Sequence, residues 1–460
     1  MDRRGITALI VTGLALFMTV LDNLVVTTAL PSMRADLGAE VSDLQWFVNG
    51  YTLTFAVLLL TGAALGDRYG RRRVFMFGLG LFTVASAAAA LATSADGLIA
   101  ARALQGVGGA VVTPLTLTLL AQAFPPGRRG VALGIWSGIA GVAVAIGPVI
   151  GGAVVDGISW HWIFWFNVPV GILTIALASR FLEESHGPSG RLDLGGAALA
   201  TVGLAGIVWG VVRGNDLGWT STQVLAALAV GVVGVAGFLV WETRVAAPML
   251  PLRLFRSRAF TATNLVSLAM YFGTFGSIFL LAQFLQTVQG YSAFEAGVRT
   301  LPWTIMPMFI APIAGALSDR IGGRPLMATG LALQAIALAW LASITTVDVA
   351  YSRIILPFIL AGTGMALVFA PVANVLMGVV RAEEQGLASA ANNMIREIGG
   401  VLGIAVLVAI FSAAGGYGSR QAFVDGLVPA VYTGAGVLAL GAIAALRVPR
   451  IRNTMAAAGR

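Results

Sequence analysis

Among the ionisable side chains that fall within long apolar stretches of the sequence, four are the best candidates for chemistry: Asp22, Arg102, Arg396 and Glu397. A charge in the hydrocarbon core of a bilayer costs about 2.5–3.5 kcal/mol even on the most permissive scale, so such a residue normally faces a partner, a cavity or a proton path. Burial favours the neutral acid, whereas a nearby arginine favours the carboxylate. A carboxyl group that alternately contacts and leaves an arginine can therefore bind and release a proton.

The places of these residues in their stretches indicate how they pair. Asp22 falls in the second half of the first apolar stretch, and Arg102 falls near the start of the fourth. Consecutive stretches cross a membrane in alternating directions, so the two residues have similar depths and an ion pair is predicted. Glu397 lies near the middle of the thirteenth stretch, beside Arg396. The alternative for both arginines is a structural contact that locks two helices together.

The composition indicates a membrane protein. Of the 460 residues, 58% are hydrophobic and 10% are charged, and the mean hydropathy is +0.89, which excludes an ordinary soluble globule. A helix needs about 20 apolar residues to cross the hydrocarbon core. Fourteen stretches are long enough: 6–30, 44–64, 74–94, 97–120, 131–154, 162–181, 194–213, 222–241, 260–286, 293–316, 325–345, 352–379, 387–412 and 427–446. We therefore predict an all-α integral membrane protein with fourteen transmembrane helices.

The distribution of arginine predicts the orientation. All 28 basic residues are arginines, and an N-terminus on the inside puts 21 of them in cytoplasmic segments and five in outer loops. The positive-inside rule requires such a bias, so we expect both termini in the cytoplasm. The net charge of +8 then reflects membrane orientation, and we expect no nucleic-acid partner.

Residues that the sequence lacks exclude several chemistries. It contains no cysteine and no lysine, which removes disulfides, thiolate catalysis, a Walker A lysine and Schiff bases. The two histidines, His161 and His186, do not have zinc-ligand spacing. Neither Gly-x-Ser-x-Gly nor His-Glu-x-x-His occurs. A polytopic membrane enzyme is thus the disfavoured alternative, and we expect neither catalysis nor a metal or other cofactor.

A charged, glycine-containing loop occurs twice, at Gly62–Arg73 and Ala314–Arg324, each time between two apolar stretches. Two unrelated basic loops would not share the order Leu-x-Asp-Arg-x-Gly, so the repeat indicates a duplicated transporter-like architecture. We predict two six-helix halves around a central cavity, with the seventh and eighth helices inserted between them. The expected N-terminal half is 1–182, and the expected C-terminal half is 260–460. The inserted pair is expected at 194–242, with cytoplasmic linkers at 183–193 and 243–259 on its two sides.

The repeated loop resembles the cytoplasmic signature of the major facilitator superfamily. Four further segments are similar to motifs of its fourteen-span drug/proton antiporter branch: Leu21–Pro31, Arg102–Gly108, Gly147–Gly152 and Trp160–Pro169. Together with the loops they cover nearly the whole chain. The sequence departs from the family pattern at His161, where arginine is usual, and at Thr27, where asparagine is common.

This resemblance implies a proton-coupled antiporter that exports hydrophobic, often cationic, small molecules such as drugs, dyes and antibiotics by alternating access. It implies multidrug efflux from a bacterial cell membrane, driven by the proton gradient without a cofactor, with protons, substrate and lipid as partners. We expect a monomer. The alternative within the same fold is an exporter or flippase of a lipid or an endogenous natural product. A sugar importer is disfavoured by the Gly-Pro-x-x-Gly-Gly ending of the fifth span.

Three further sets of site residues are predicted. The inner gate contains a glycine that permits close helix approach and a carboxylate that can accept N–H groups at a helix N-terminus: Gly66, Asp67, Arg68, Gly70, Arg71, Asp319 and Arg320. The antiporter motif combines tight packing with a proline bend: Gly147, Pro148, Gly151 and Gly152.

The third set is an aromatic, amide-rich substrate cavity. Aromatic rings attract delocalised cations, and methionine adapts to varied apolar shapes. The predicted lining residues are Asn23, Trp46, Asn49, Tyr51, Gln283, Gln286, Trp303, Met306, Asn374, Asn392 and Asn393. The alternative for each of them is simple packing or a place in the interfacial aromatic belt.

Overall fold

The computed structural model describes residues 3–124, 126–187, 193–246, 248–381 and 384–449, and every regular element among them is a helix. The α-helices are α1 (Arg3–Leu37), α2 (Val41–Tyr69), α3 (Arg71–Ala90), α4 (Ala95–Ala123), α5 (Pro126–Gly157), α6 (Trp162–Trp165), α7 (Asn167–Phe181), α8 (Leu194–Leu217), α9 (Thr222–Arg244), α10 (Arg258–Gln283), α11 (Ala293–Thr304), α12 (Met306–Ile321), α13 (Gly323–Ile344), α14 (Tyr351–Val379), α15 (Gln385–Ala414) and α16 (Arg420–Leu446). A 3-10 turn, Leu252–Arg256, precedes α10, and a π-helical turn, Phe284–Val288, extends it.

Fourteen helical segments within the described ranges are long and apolar enough to cross a membrane, which confirms the predicted number. Two of these spans are interrupted. The sixth consists of α6 and α7, which meet at Phe166, and the tenth consists of α11 and α12, which meet at Ile305. Pro302 and Pro307 flank the second break, and a proline removes a backbone N–H and crowds the preceding turn.

Local sequence explains where many helices begin and end. Four serines precede helices, and each side-chain oxygen accepts the backbone N–H three residues on: Ser94, Ser221, Ser257 and Ser419. Gly70 and Gly322 follow α2 and α12 with φ of 105° and 84°. Glycine adopts this backbone conformation at little cost, so both copies of the charged loop make the same sharp turn.

The chain forms two compact units. Unit 1 comprises Met1–Arg213, Thr220–Met249 and Tyr291–Val298, and unit 2 comprises Gly214–Trp219, Leu250–Gly290 and Arg299–Arg460. Most of the inserted pair, α8 and α9, therefore belongs to unit 1. In this unit Arg213, near the end of α8, places Nη1 3.4 Å from Glu40 Oε2 and Nη2 3.8 Å from Asp43 Oδ1.

Glycines bring the helices of unit 1 close together. Helix α4 packs against α2 and α3, and α1 packs against α5. If glycine were replaced by a larger residue, a Cβ atom at position 106 would lie 2.3 Å from the carbonyl oxygen of Tyr51. A Cβ atom added at Gly62 would lie 2.5 Å from the carbonyl oxygen of Ala110. Because larger residues would force α2 and α4 apart, these glycines keep Arg102, one turn before Gly106, against α2.

Unit 2 is assembled in the same way. Helix α10 packs against α15 and α16, and α13 packs against α14 and α16. A side-chain carbon at Gly403 in α15 would lie 2.2 Å from the carbonyl oxygen of Phe272 in α10. The backbones of α10 and α15 are therefore almost in contact, and this closeness determines which of their polar side chains meet.

Candidate functional site

Asp22 and Arg102 form a buried ion pair in unit 1, as predicted. Both side chains are 0% exposed, and Nη1 of Arg102 donates to Oδ2 of Asp22. The second carboxylate oxygen, Oδ1, accepts from Nδ2 of Asn167 at 2.7 Å and from Nε2 of Gln105 at 3.1 Å. All three neighbours are donors, an arrangement that matches an ionised carboxylate, which can only accept.

The guanidinium of Arg102 is positioned by both the backbone and the rings around it. Its Nε donates to the carbonyl oxygen of Phe47 at 2.9 Å, and Nη1 also donates to Oε1 of Gln105 at 2.9 Å. Its Cζ lies 4.5 Å from the centre of the Tyr51 ring and 5.8 Å from that of Phe164. Arg102 therefore has a carboxylate, a carbonyl, an amide and an aromatic face as partners, and cation–π attraction adds to its stabilisation.

Two amides and a hydroxyl complete this network. Oγ of Ser86 accepts from Nε2 of Gln105 at 2.7 Å and lies 3.4 Å from Nδ2 of Asn167. Asn167 is the first residue of α7, so the break in the sixth span places its amide beside Asp22. Gln105 and Asn167 belong to sequence motifs that were predicted as a whole, whereas no motif marked Ser86.

Arg396 and Glu397 in unit 2 are arranged differently. Nη2 of Arg396 donates to the Tyr271 hydroxyl, and Cζ lies 4.6 Å from the centre of the Tyr271 ring and 5.5 Å from that of Phe369. Nε of Arg396 is buried without a hydrogen-bond partner among the described residues. Glu397 is partly exposed, and within the described ranges it forms no hydrogen bond or ion pair.

The predicted cavity residues differ in exposure. Five are buried: Asn49, Tyr51, Gln283, Trp303 and Asn392. Asn374 is exposed. The remaining five are partly exposed: Asn23, Trp46, Gln286, Met306 and Asn393. Neither amide atom of Asn49, nor the indole nitrogen of Trp303, has a hydrogen-bond partner in the described part of the chain. The cavity assignment itself stays a prediction for all eleven.

Two of these amides make contacts within unit 2: Asn392 joins two helices, and Gln283 joins α10 to the loop between α15 and α16. Nδ2 of Asn392 donates to Oδ1 of Asn264 at 3.0 Å and to Oγ of Ser267 at 2.8 Å, which links α15 to α10. Oε1 of Gln283 accepts from the Tyr417 hydroxyl, just before the π-helical turn. These contacts show packing roles for both residues.

The first charged loop forms a compact structure around Asp67. Oδ1 of Asp67 accepts from Nε of Arg71 at 2.8 Å, and the backbone N–H of Gly187 donates to the Asp67 carbonyl at 3.1 Å. Gly66 is buried against Leu115, whereas Arg68 is exposed over the Tyr69 ring. In the second loop Arg320 is exposed, and the side chain of Asp319 lies outside the described set.

The carboxylate that accepts N–H groups at the N-terminus of α3 is that of Glu184, not that of Asp67. The sequence did not single out Glu184. Its Oε1 accepts from the N–H of Arg72 at 2.9 Å, and its Oε2 accepts from the N–H of Arg73 at 3.2 Å, in the first turn of α3. A side-chain carbon at Gly70 would lie 2.8 Å from the Glu184 carboxyl carbon, so glycine is needed there. Asp67 instead pairs with Arg71 in the next helix.

The antiporter motif is a packing surface of α5. Side-chain carbons at Gly147 and Gly151 would lie 3.0 Å from Leu24 and Val25 of α1. A Cβ atom added at Gly152 would lie 2.3 Å from the carbonyl oxygen of Ala293. A Cβ atom added at Gly297 would lie 2.2 Å from the carbonyl oxygen of Pro148. The motif therefore contacts α1 on one side and the first turns of α11 on the other.

Asp156, four residues after this motif, completes the N-terminus of α11. Its Oδ1 accepts from the N–H of Ala293 at 3.1 Å, and its Oδ2 accepts from that of Phe294 at 2.7 Å. Ser292 and Glu295 bond to each other's N–H groups in a capping box. The first four N–H groups are thus all satisfied, two of them by a residue distant in sequence.

No group of three or more acidic or histidine side chains in the described ranges could hold a metal ion. Fourteen apolar spans, together with a buried carboxylate–arginine pair and further charged residues at membrane depth, define a multi-pass membrane transporter. The chain belongs to the Major Facilitator Superfamily, whose family model matches residues 12–404.

Similar proteins agree with this membership. The chain is 37% identical over 415 residues to the multidrug resistance protein Stp of Mycobacterium tuberculosis, covering 90% of this chain and 77% of that one. It is 36% identical over 402 residues to the tetracenomycin C resistance and export protein of Streptomyces glaucescens, covering 87% and 74%. A bacterial homologue of the human lysosomal transporter Spinster has the same fold, with a TM-score of 0.68, 18% identity and 97% coverage of both chains.

Proposed function

We propose that the protein is a proton-coupled antiporter that exports hydrophobic, often cationic, small molecules by alternating access. The observation that carries this proposal is the Asp22 carboxylate, which is fully buried in a membrane span and bonded only to donors. Relatives that are named multidrug resistance and antibiotic export proteins support the export of small molecules. The same proposal places both termini in the cytoplasm of a bacterial cell.

In this mechanism Asp22 is the site that binds the proton. Protonation removes the charge that attracts Arg102, so the ion pair weakens and the helices that it joins, α1 and α4, can change their packing. When the proton leaves, Arg102, Gln105 and Asn167 again donate to the carboxylate. Glu397 is the second proposed proton or cation site, because it is a carboxylate in a span that interacts with the neighbouring Arg396 only electrostatically and forms no hydrogen bond among the described residues.

The second candidate keeps the fold and changes the cargo to a natural product or a lipid. The name of the Streptomyces glaucescens relative, which exports tetracenomycin C, favours the natural-product form of this alternative. Parallel transport assays with cationic dyes, with natural products and with labelled lipids would separate these cargoes.

The energy source provides the direct test of proton coupling. Purified protein would be reconstituted into liposomes with a fluorescent dye, and dye movement would be followed after a pH gradient is imposed. We expect dye accumulation to require the gradient, to stop when an ionophore collapses it, and to be unaffected by ATP. Accumulation that continues after collapse of both pH gradient and membrane potential would contradict proton coupling.

A further inference from the structure

We propose that Arg396 recognises an acidic group of the substrate, so that the transporter binds carboxylated or zwitterionic aromatic molecules as well as cations. This inference deepens the proposed function and depends on its claim that small molecules are bound and moved. Arg102 and Arg396 differ in the partners of their guanidinium groups, although each has one buried nitrogen without a hydrogen-bond partner among the described residues, Nη2 of Arg102 and Nε of Arg396.

Both guanidinium groups lie on a tyrosine ring. Cζ of Arg102 is 4.5 Å from the Tyr51 ring centre, and Cζ of Arg396 is 4.6 Å from that of Tyr271. Arg102 also contacts the Asp22 carboxylate. Among the described residues no carboxylate lies within ion-pair distance of Arg396, whose one hydrogen-bond acceptor from the protein is the neutral Tyr271 hydroxyl.

The contacts of Arg396 compensate its charge only in part. Cation–π attraction and one neutral hydrogen bond are weak beside the desolvation of a guanidinium, and Nε is buried without a partner among the residues described. Glu397 interacts with Arg396 electrostatically but forms no hydrogen bond or ion pair with it, so among the described residues no carboxylate oxygen accepts from this guanidinium. A planar guanidinium with unused donors fits a carboxylate, which it can bind through two parallel hydrogen bonds.

The surroundings of Arg396 indicate the rest of the ligand. Asn393, Arg396 and Glu397 are all partly exposed, and their spacing of three and four residues puts them on one face of α15. Charged groups at this depth face a polar cavity in preference to lipid. A ligand that fits this face has an acidic group at Arg396, an aromatic body against Phe369, and a cationic or hydrogen-donating group at Glu397.

The alternative is a purely structural role, in which Arg396 holds α15 to α10 through Tyr271. A test must distinguish this role from ligand binding. The two helices are already joined elsewhere: Asn392 bonds to Asn264 and Ser267, and Gly403 lies against the Phe272 carbonyl. Removing the arginine charge should therefore leave the helix packing largely intact and change ligand binding selectively.

The experiment measures binding of two dyes to the full-length protein in detergent. Rhodamine 110 has a free carboxyl group, and rhodamine 123 is its methyl ester, so the pair differs only at that group. The variants are Arg396→Gln and Arg396→Lys, with Arg353→Gln as a control for the change in net charge, because Arg353 is exposed in the same unit. Fluorescence anisotropy gives the affinities, and melting temperatures check folding.

We expect Arg396→Gln to weaken binding of rhodamine 110 by about tenfold or more and to leave rhodamine 123 within about twofold. Arg396→Lys should fall between, because lysine keeps the charge without the planar fork. Equal losses for both dyes would assign Arg396 to packing and overturn the proposal. Unchanged affinities in all variants, or a parent protein that does not bind rhodamine 110, would also overturn it. Binding needs no proton gradient, so failure of proton coupling leaves this result unaffected.

Discussion

Removal of the Glu184 carboxylate should loosen the first turn of α3 and hence the first charged loop. In the structure this side chain, 20% exposed, accepts hydrogen bonds from the N–H groups of Arg72 and Arg73 and lies 3.7 Å from Nε of Arg73. Losing an N-terminal cap costs about 0.5–2 kcal/mol, and losing the favourable interaction of a negative charge with the helix dipole costs about 0.3–1 kcal/mol. We therefore expect Glu184→Ala to destabilise this turn by roughly 1–2 kcal/mol.

Hydrogen exchange followed by mass spectrometry measures this effect locally. Since about 1.4 kcal/mol corresponds to a factor of ten, a peptide that contains Arg72 and Arg73 should exchange about tenfold faster in Glu184→Ala than in the parent. Glu184→Gln, which keeps one acceptor oxygen, should show a smaller increase. Asp348→Asn, which changes a side chain that is 89% exposed, is the control. Equal exchange rates in the parent and Glu184→Ala would refute the capping role.

Three further outcomes are expected. Asp156→Ala should destabilise the start of α11 by about 1 kcal/mol, seen as faster exchange of the Ala293 and Phe294 amides; unchanged protection would mean that the capping box suffices. The hydrogen bond from Arg381 holds the pKa of Glu384 below its ordinary value of 4.5, so this pairing stabilises the folded protein at neutral pH and is lost as the pH falls below 4.5. Arg381→Gln should therefore reduce the drop in melting temperature between neutral pH and about pH 4, and an identical drop would contradict this linkage. Glu397→Gln should lose export of cationic dyes while neutral substrates are still exported, and undiminished export of every dye would remove Glu397 from the proposed site.

The fold was predictable because membrane spans leave a strong local signal. Each span is a continuous apolar run, and the repeated Leu-x-Asp-Arg-x-Gly order indicates the duplication. The contact between Asp22 and Arg102 was also predictable, because charged residues are rare at this depth and have few possible partners. Helix ends were less accurate: α1 continues to Leu37, beyond the apolar stretch 6–30, because helical hydrogen bonding does not stop where hydrophobicity does.

Contacts that depend on tertiary geometry could not be predicted in this way. Asn167 reaches Asp22 only because the sixth span breaks at Phe166, and an uncharged amide gives no hydropathy signal. Glu184 and Asp156 cap helices that are distant in sequence, and their types alone suit any exposed loop. Gly70 provided a partial signal for Glu184, since a glycine in a tight turn indicates that something approaches the backbone closely.

The role of Asp22 as the residue that carries the coupling proton is tested by measuring uphill export in Asp22→Asn. Asparagine has nearly the same shape and can still contact Arg102, yet it cannot exchange a proton at physiological pH. Parent, Asp22→Asn and Asp425→Asn, an exposed control on α16, would be compared in liposomes with the same imposed pH gradient. We predict that Asp22→Asn folds and binds substrate but no longer concentrates it, while Asp425→Asn behaves as the parent. An Asp22→Asn protein that still concentrates substrate against its gradient would contradict the account.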